Sequence, residues 1–575
     1  MTRTLFRNVA LMVSLIGLGS CSDESLFVGN PNAGDTKRVL GTANDAEALL
    51  GTYYRRWSSG VYGSAGSTTN LEGMANIMSL MNYSSLANNC QNARAPFAGA
   101  TNNNAPGNVC TGEQYRLYQF MSEVNRVASS FLRQVQPVAS GGQGLTLGSP
   151  ARDNRAKAFA EFLRGVSIGY TALMHDSLAV VTDATGAEEA EALVSAKAAA
   201  DSAYAALQRA ITLTNADATG GDGFPLPATW IPSPTVMGKV EFTRLIRSYR
   251  ARLRANMART PAERVAVDWA AVVADAENGI TADHLITTHT VTGPGNEWRR
   301  QYLSFTTWHQ MPPFLVGMAD VSGSYAAWIG QPLGERGGGG VSFTMVTPDL
   351  RFPQGATRAA QNADFSISQC STAATACKRY FVNRPPGGDQ NAGLGWGWSN
   401  YDFVRFQSWQ TAGDAGAARN GNTVFFTKAE IDLLRAEGLF RQGSFATAAG
   451  VVNVTRTRNG LPPITQFDAT SDVPGGSTDC VPKVPKAPNF NTVGCGNLWD
   501  ALKYEKRIET AYTHYAPWYL DGRGWGELPV NTPLFWPVPF QDLQARSRPL
   551  NALYGTGIGP GNAPNSFSGT SVYGW

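Results

Sequence analysis

The sequence carries little charge, and neither sign dominates. Charged residues make up 16% of the 575 positions, and 47 Lys and Arg residues stand against 44 Asp and Glu residues. A protein that binds nucleic acid through its phosphates needs a basic surface, so this balance argues against such a partner. Because 43% of the residues are hydrophobic while Gly and Pro number 61 and 32, the composition indicates a folded scaffold with long loops. No linker rich in Pro, Ser or charge divides the chain into domains.

Long hydrophobic runs are absent except near the N-terminus. Beyond it, no segment approaches the roughly 18 apolar residues that a membrane-spanning helix needs. Two arginines precede the short apolar run 9–18, and a Gly-Ser pair leads directly to Cys21. This order resembles a bacterial lipobox, in which the signal peptide is removed and the cysteine is acylated. We therefore predict a lipoprotein signal peptide over residues 1–20 and lipidation of Cys21; the alternative is an ordinary signal peptide with a chance cysteine.

The cysteine count agrees with export. Of the seven cysteines, those other than Cys21 form three pairs of near neighbours in stretches rich in Gly, Asn, Pro and Thr. Such pairs are typical of disulfides in an oxidising compartment. A zinc site is the alternative, but the sequence has no Cys-x-x-Cys, and no cysteine has a histidine within five residues. The predicted disulfides are Cys90–Cys110, Cys370–Cys377 and Cys480–Cys495.

No catalytic motif stands out. The segment 165–169 matches the Gly-x-Ser-x-Gly nucleophile elbow, but it lies inside an amphipathic helical pattern in which small residues favour close packing. Glu505 and Glu509 could serve in glycoside hydrolysis, but on a basic helix we expect them to pair with Arg507 and its neighbours. The five histidines are scattered, without a His-x-x-x-His pair. We therefore expect no catalytic residue, no cofactor and no metal ligand.

Residues 428–461 are predicted to form two helices joined by a tight turn. Thr427 and Glu430 form a capping box that starts the first helix. A Gln-Gly-Ser turn ends that helix, and Asn459-Gly460 supplies a left-handed C-cap after the second. The 34 residues match the length of one tetratricopeptide-type repeat. One such hairpin cannot bury its apolar stripes alone, so we expect other helical hairpins to stack against it.

Further helices are predicted from apolar periodicity and helix propensity. Their ranges are 45–57, 113–135, 153–174, 188–213, 240–259, 265–278 and 498–512. By contrast, residues 285–425 show few helical periods and many Gly, Pro, Trp and Tyr residues. The predicted fold is mainly α with little β: a tetratricopeptide-like solenoid of helical hairpins over about 44–280 and 426–515, with a large loop-rich insertion between them. We assign residues 21–575 to a single domain.

Two segments resemble a known family. Residues 426–462, FTKAEIDLLRAEGLFRQGSFATAAGVVNVTRTRNGLP, resemble the tetratricopeptide segment of SusD/RagB-type nutrient-binding lipoproteins of the outer membrane. Residues 498–512, LWDALKYEKRIETAY, resemble the late helix of that family, which Glu505, Arg507 and Glu509 fit. The residues that fit the next family segment are Asp521, Arg523, Trp525, Gly526 and the Pro537-Val538-Pro539 motif. The stretch 30–57 is similar to the opening segment of the family.

Two family motifs are altered in this chain. Thr513-His514-Tyr515-Ala516 stands where the family has Glu-Gly-x-Arg, and His175-Asp176-Ser177-Leu178 stands where it has Gly-Asp-x-Pro. Because these are structural positions in the family, the changes indicate a divergent branch. They leave the class of ligand open.

The resemblance implies a role in nutrient uptake. Such a protein is lipid-anchored, exposed at the cell surface and non-catalytic. It would capture an oligosaccharide or a peptide and deliver it to a TonB-dependent, SusC-like transporter. Ser22-Asp23-Glu24, directly after the predicted lipidation site, resembles the surface-export signal of the family. Two alternatives stay open: a surface lipoprotein hydrolase that acts on glycans, and a non-catalytic scaffold for other envelope proteins.

Aromatic residues are concentrated in the predicted insertion. Residues 290–410 contain six of the 14 Trp residues in a stretch without helical periodicity. The broad apolar face and polar N–H of tryptophan suit a sugar ring, which has C–H groups on one face and hydroxyls around its edge. Several of these rings could instead pack the insertion against the solenoid. The predicted ligand-binding residues are Trp298, Trp308, Trp328, Trp396, Trp398 and Tyr325, with edge contacts from Asn296, Arg299, Gln310 and Asn400.

Overall fold

A computed structural model shows how these patterns fold. It describes residues 41–63, 71–82, 104–107, 112–186, 189–216, 219, 221–288, 311–332, 335–336, 343–366, 369, 377–383, 399, 401–405, 421–513, 516–548 and 568–575. Within these ranges the chain forms seventeen α-helices and four small sheets, each of two antiparallel strands. The prediction of a mainly α fold with little β is confirmed.

The helices and strands are numbered along the chain. The helices are α1 (Ala43–Tyr62), α2 (Leu71–Met78), α3 (Gly112–Val135), α4 (Pro150–Met174), α5 (Ala196–Asn215), α6 (Lys239–Asn256), α7 (Pro261–Val265), α8 (Trp269–Glu277), α9 (Pro313–Val316), α10 (Ser324–Ile329), α11 (Arg358–Asp364), α12 (Lys428–Arg441), α13 (Phe445–Arg458), α14 (Gly476–Asp479), α15 (Leu498–Thr510), α16 (Pro517–Trp525) and α17 (Phe540–Ala545). The strands are β1 (Ser177–Ala179), β2 (Leu193–Ser195), β3 (His284–Thr288), β4 (Phe381–Asn383), β5 (Tyr401–Phe403), β6 (Gly421–Phe426), β7 (Lys483–Pro485) and β8 (Val493–Cys495).

Residues 1–40 lie outside the described residues. The predicted signal peptide and the lipidation of Cys21 therefore stay predictions. Among the helices that the structure describes, none combines the length and the apolar character needed to cross a bilayer.

Helix α4 lies in the first hydrophobic core, packed against α1, α3, α5 and α6. Ser149 caps its start by accepting a hydrogen bond from the N–H of Arg152. Pro150 fits the first turn because an N–H there would have no partner inside the helix. From residue 158 to residue 174 every side chain of the helix is buried, so this helix has no solvent face over its second half.

The Gly-x-Ser-x-Gly segment lies inside α4 and brings neighbouring helices close together. A Cβ at Gly165 would come within 2.5 Å of Leu207 in α5, and a Cβ at Gly169 within 2.6 Å of Leu253 in α6. Ser167 between them is fully buried, and its hydroxyl donates to the carbonyl of Arg164. The packing interpretation is therefore confirmed, because a nucleophile elbow needs a strand before an exposed serine.

The hairpin α12–α13 forms as the sequence predicts. Thr427 caps α12 by accepting from the N–H of Glu430 at 3.1 Å. Gly443 in the turn and Gly460 after α13 have φ angles of +77° and +79°, in the left-handed region that glycine tolerates best. Gly438 lies against Val273 of α8, where a Cβ would come within 2.5 Å. The hairpin thus stacks on the preceding helices, as expected for a repeat that cannot stand alone.

Two predicted helices differ from the structure at their starts. The helix predicted over 188–213 begins only at Ala196, because residues 193–195 pair with β1 and Ser195 then caps α5. The helix predicted over 265–278 begins only at Trp269, because Asp268 caps α8, and residues 261–265 form the separate short helix α7. In both places a side-chain cap starts the helix later than apolar periodicity alone suggests.

Strands β3 and β6 tie together the two ends of the predicted insertion. They pair antiparallel from His284 opposite Phe426 to Thr288 opposite Gly421, with an irregularity after His284. Helix α8 precedes β3 and helix α12 follows β6. The chain therefore leaves the helical scaffold and returns to it through one short sheet.

A second hydrophobic core joins the described parts of the insertion to the scaffold. Phe314, Phe352 and Phe381 come from the insertion, whereas Tyr504 and Ile508 come from α15. The rings of Phe352 and Phe381 are stacked with their centroids 4.2 Å apart. Burial of this apolar surface holds the insertion on the helical scaffold.

The Cys480–Cys495 disulfide is confirmed. The two Cα atoms lie 5.7 Å apart, and both side chains are buried beside α12 and α15. The bond closes the loop that carries strands β7 and β8. The other two predicted pairs stay predictions, because Cys90, Cys110 and Cys370 lie outside the described residues.

We expect the Cys480→Ser/Cys495→Ser variant to unfold at a lower urea concentration than the wild type. The bond spans a sequence separation of 15 residues, and a loop of that length corresponds to roughly 3 kcal/mol in the chain-entropy model. The single variant Cys480→Ser should lose as much, since either change breaks the same bond. Equal urea midpoints for wild type and both variants would contradict the prediction.

Candidate ligand-binding region

Tyr325 and Trp328, two of the predicted ligand-binding residues, lie in the second hydrophobic core. Tyr325 is 1% exposed and its hydroxyl donates to the carbonyl of Phe314 at 2.6 Å. Trp328 is 7% exposed, and its ring packs edge-on against Phe314 with the centroids 4.8 Å apart. The guanidinium of Arg336 covers the Trp328 ring at 5.2 Å. For these two rings the structure shows the alternative interpretation, because they lie in the core that joins the insertion to the helical scaffold.

The other predicted ligand-binding residues lie outside the described residues. They are Trp298, Trp308, Trp396 and Trp398, together with the edge residues Asn296, Arg299, Gln310 and Asn400. Their assignment to a ligand-binding cleft stays a prediction. The structure does define the described residues that flank these segments, which we call the body.

The segments that carry the four tryptophans start and end on connected parts of that body. Met311 follows the Trp308 segment, and Ser399 follows Trp398 directly. The hydroxyl of Ser399 donates to the carbonyl of Met311. Strands β4 and β5, which flank the second segment, pair from Phe381–Phe403 to Asn383–Tyr401. Two Trp-bearing segments are therefore attached to the body at adjacent points.

Gln361 in α11 fixes these attachment points. Its side-chain N–H groups donate to the carbonyls of Met345 at 2.8 Å and Gly355 at 2.9 Å. Its side-chain oxygen accepts from the Asn383 amide at 3.0 Å and from the Tyr401 hydroxyl at 2.9 Å. Because Gln361 is fully buried, these four bonds are shielded from water and hold both strands in one geometry.

Arg351 connects the insertion to α15 through buried ion pairs. Its guanidinium is fully buried and donates to Asp349 at 2.7 Å, to Glu505 at 2.8 Å and to Glu509 at 3.1 Å. Its own carbonyl accepts from the N–H of Tyr380 at 2.7 Å. One side chain thus joins a loop of the insertion to two successive turns of a scaffold helix.

Glu505 and Glu509 are enclosed, which bears on the hydrolase alternative. Both are fully buried. Burial would raise the pKa of Glu509, but Arg405, Arg351 and Arg458 lower it to about 2. Burial raises the pKa of Glu505 against the opposing effect of Arg351. Two carboxylates held by arginines and closed off from solvent cannot reach a glycosidic bond.

The prediction that Glu505 and Glu509 pair with Arg507 and its neighbours was wrong. Arg507 instead forms an ion pair with Glu527, whereas Glu505 and Glu509 bind Arg351 across the core. At positions 505 and 509 the side chains face away from that of Arg507, since residues two apart on a helix do not share a face. Nothing in the local sequence indicated Arg351, which lies 154 residues before Glu505.

Two of the five histidines lie among the described residues, and both are buried. Burial lowers the pKa of His175 to about 4 and that of His284 to about 3. Both are therefore neutral at neutral pH, and the ring of His175 is bonded to the carbonyl of Pro537 at 2.9 Å. In the ranges that the structure covers, no three His, Cys, Asp or Glu residues are grouped to hold a metal ion.

The chain was compared with known families, curated proteins and solved structures. No protein-family model matches it, and no curated protein matches its sequence. A SusD superfamily protein from Bacteroides thetaiotaomicron superposes with a TM-score of 0.52 at 14% identity, over 88% of this chain and 97% of that chain. A SusD superfamily protein from Parabacteroides distasonis also gives 0.52, at 13% identity, over 88% and 98%.

A third structure agrees with these two. A SusD-like carbohydrate binding protein from Bacteroides fragilis has a TM-score of 0.50 at 14% identity, over 85% of this chain and 87% of that chain. The chain has the SusD fold. The resemblance seen in the sequence is confirmed for the fold, at an identity too low to carry a ligand or an activity with it.

In this SusD fold, the residues that carried the resemblance are largely members of buried ion pairs. Glu505 and Glu509 bind Arg351. Asp521 accepts from Arg264 of α7 at 2.9 Å and from Lys506 at 2.8 Å. These residues join segments that are distant in sequence, so their roles are structural.

We expect Arg351→Met to lower the melting temperature far more than Arg458→Ala. Arg351→Met leaves three buried carboxylates without their shared counter-charge, and breaking a buried ion pair costs about 3–5 kcal/mol. Arg458 is the matched control, because it pairs with Glu509 at 2.9 Å but its side chain is 52% exposed; such pairs contribute about 1 kcal/mol or less. Similar melting temperatures for the two variants would contradict the prediction.

Proposed function

We propose that this SusD-like chain is a lipid-anchored outer-membrane protein that binds an oligosaccharide and delivers it to a TonB-dependent transporter. The observation that carries the proposal is the SusD fold, which covers nearly the full length of two solved SusD superfamily proteins. A third protein of similar fold is described as carbohydrate binding. The lipobox pattern before Cys21 supports the anchor.

The proposed ligand site is formed by the Trp-bearing segments of the insertion. Their attachment at Met311 and Ser399 supports this assignment, because adjacent bases let two loops contribute to one site. The buried bonds of Gln361 and Arg351 beneath them keep those bases in place. A rigid body with variable loops is the usual arrangement of a binding site. Stacking of sugar rings on tryptophan faces would supply the affinity, and amide and guanidinium groups would form hydrogen bonds with the sugar hydroxyls.

A binding protein also fits the described chemistry better than a hydrolase. The acidic pair Glu505 and Glu509 is closed off in the core, and Ser167 is buried inside α4. Neither of these two candidates can meet a substrate. A search for cleaved products by mass spectrometry, run on any glycan that binds, tests the hydrolase alternative directly.

Glycan binding should be weakened by single changes Trp298→Ala, Trp308→Ala, Trp396→Ala and Trp398→Ala. We expect at least two of the four to raise Kd about tenfold, since removing one stacked ring costs on the order of 1.4 kcal/mol. A glycan array and a peptide array first identify the ligand, and calorimetry then measures its affinity for each variant.

Trp328→Phe is the matched control for these variants. Trp328 is buried in the second core, and its indole N–H has no hydrogen-bond partner among the described residues. A phenylalanine keeps an aromatic ring there, so Kd should not change. Unchanged affinity in all four alanine variants would place the site elsewhere, and binding to peptides without any glycan would overturn the ligand class.

The anchor is tested by Cys21→Ser. Because the acyl chain is attached through the cysteine sulfur, the serine variant should be released or stay unprocessed. Membrane fractionation and mass spectrometry of the N-terminus measure this. Normal amounts of acylated, membrane-bound Cys21→Ser protein would show that the lipobox assignment is wrong.

A further inference from the structure

A small cavity lies where the start of α7, the end of α16 and residues 568–570 meet. Its volume is about 190 Å³, below the roughly 300–1,000 Å³ of sites that enclose drug-sized ligands. Gly569 and Thr570, which line it, are exposed. The cavity therefore lies at the surface and has room for a small molecule or for one terminal group of a larger one.

Arg259 also lines this cavity, and main-chain carbonyls hold its guanidinium. Its Nη2 donates to the carbonyls of Ala172 at 2.8 Å and His175 at 2.7 Å, at the end of α4. The ring of Phe535 lies 4.7 Å from its guanidinium carbon. Among the described residues, no carboxylate lies within ion-pairing distance of this guanidinium. Main-chain carbonyls orient the group, but they do not neutralise its charge.

Arg523 brings a second guanidinium to the same cavity. It is 1% exposed and donates to the carbonyls of Leu534 and Asn256, both at 2.8 Å. Burial lowers the pKa of Arg259 to about 10, and the like charge of Arg523 acts in the same direction. Asp176 and Glu263 act in the opposite direction. Two arginines therefore line this cavity, and none of the described residues that line it is acidic.

We infer that this cavity binds an oxyanion, either a carboxylate or a sulfate group. Guanidinium groups match such oxygens in geometry as well as charge. Thr260 and Thr570 also line the space, and their hydroxyls can donate to further oxygens. The residues that line the site belong to α7 and the residues before it, to α16 and to the segments that follow it, all distant in sequence from the tryptophan segments of the insertion.

The test is calorimetric titration of the full-length chain with sodium sulfate, sodium glucuronate and glucose at constant ionic strength. Saturable binding of sulfate or glucuronate is expected, and glucose, which is neutral, should not bind at this site. A preference for sulfate indicates a tetrahedral anion, and a preference for glucuronate indicates an acidic sugar. Absence of saturable binding by either anion in the wild type would overturn the inference.

Variants of Arg259 locate the binding. Arg259→Gln should raise the Kd of the anion that binds more tightly to the wild type about tenfold or more, because the change removes a charge-assisted hydrogen bond. Arg259→Lys, which keeps the charge, should retain part of the affinity and guards against a loss caused by misfolding. The control Arg435→Gln removes a positive charge that does not line the cavity and pairs with Glu277 instead; it should bind as the wild type does. Equal affinity in Arg259→Gln and wild type would place the anion elsewhere.

Discussion

The buried guanidinium of Arg351 is the constraint on which the rest of this architecture depends. It holds Asp349 from its own loop and Glu505 and Glu509 from α15, and all four side chains are fully buried. Removing such charges from water is costly unless each finds a close partner in good geometry. The loop, the helix and the strand that follows in the insertion must therefore take one relative position to satisfy the charges together. Apolar burial in the second core adds cohesion, but on its own it would tolerate sliding and repacking.

The need to pair buried charges also explains why the sequence resembles SusD-type proteins at some positions and not at others. Residues such as Glu505, Glu509 and Asp521 each have to reach a cation on a segment distant in sequence, so few residue types can replace them. Side chains that only fill space can be exchanged at modest cost. A chain that shares about 14% identity with its structural neighbours can therefore keep the fold. These pairs fix the fold, and they do not specify a ligand.

Local signals in the sequence were enough to predict most helices and the α12–α13 hairpin, because caps and glycine turns act within a few residues. Gly460 and Thr427 are where they were expected for that reason. The start of α5 was missed because pairing of β2 with β1, a contact between separate segments, competes with helix there. Arg351 could not have been predicted, since its partners lie 154 and 158 residues away. Composition could not show that the ring of Trp328 is buried. A tryptophan that packs in a core and a tryptophan that binds a ligand can both occur in a Trp-rich stretch without helical periodicity.

Under the proposed function, stability and ligand binding depend on different parts of the chain. Ion pairs and hydrogen bonds at Arg351 and Gln361 are completed entirely by described residues of the body, and none of them needs a side chain from the Trp-bearing segments. Changes of sequence or length in those segments therefore leave the buried charges satisfied, and loop length itself adds only a small entropic cost. Because the segment bases are joined at Met311 and Ser399, altered loops still extend from the same place. A scaffold of this kind can acquire a new ligand by changing its loops while the conditions that hold its core together stay the same.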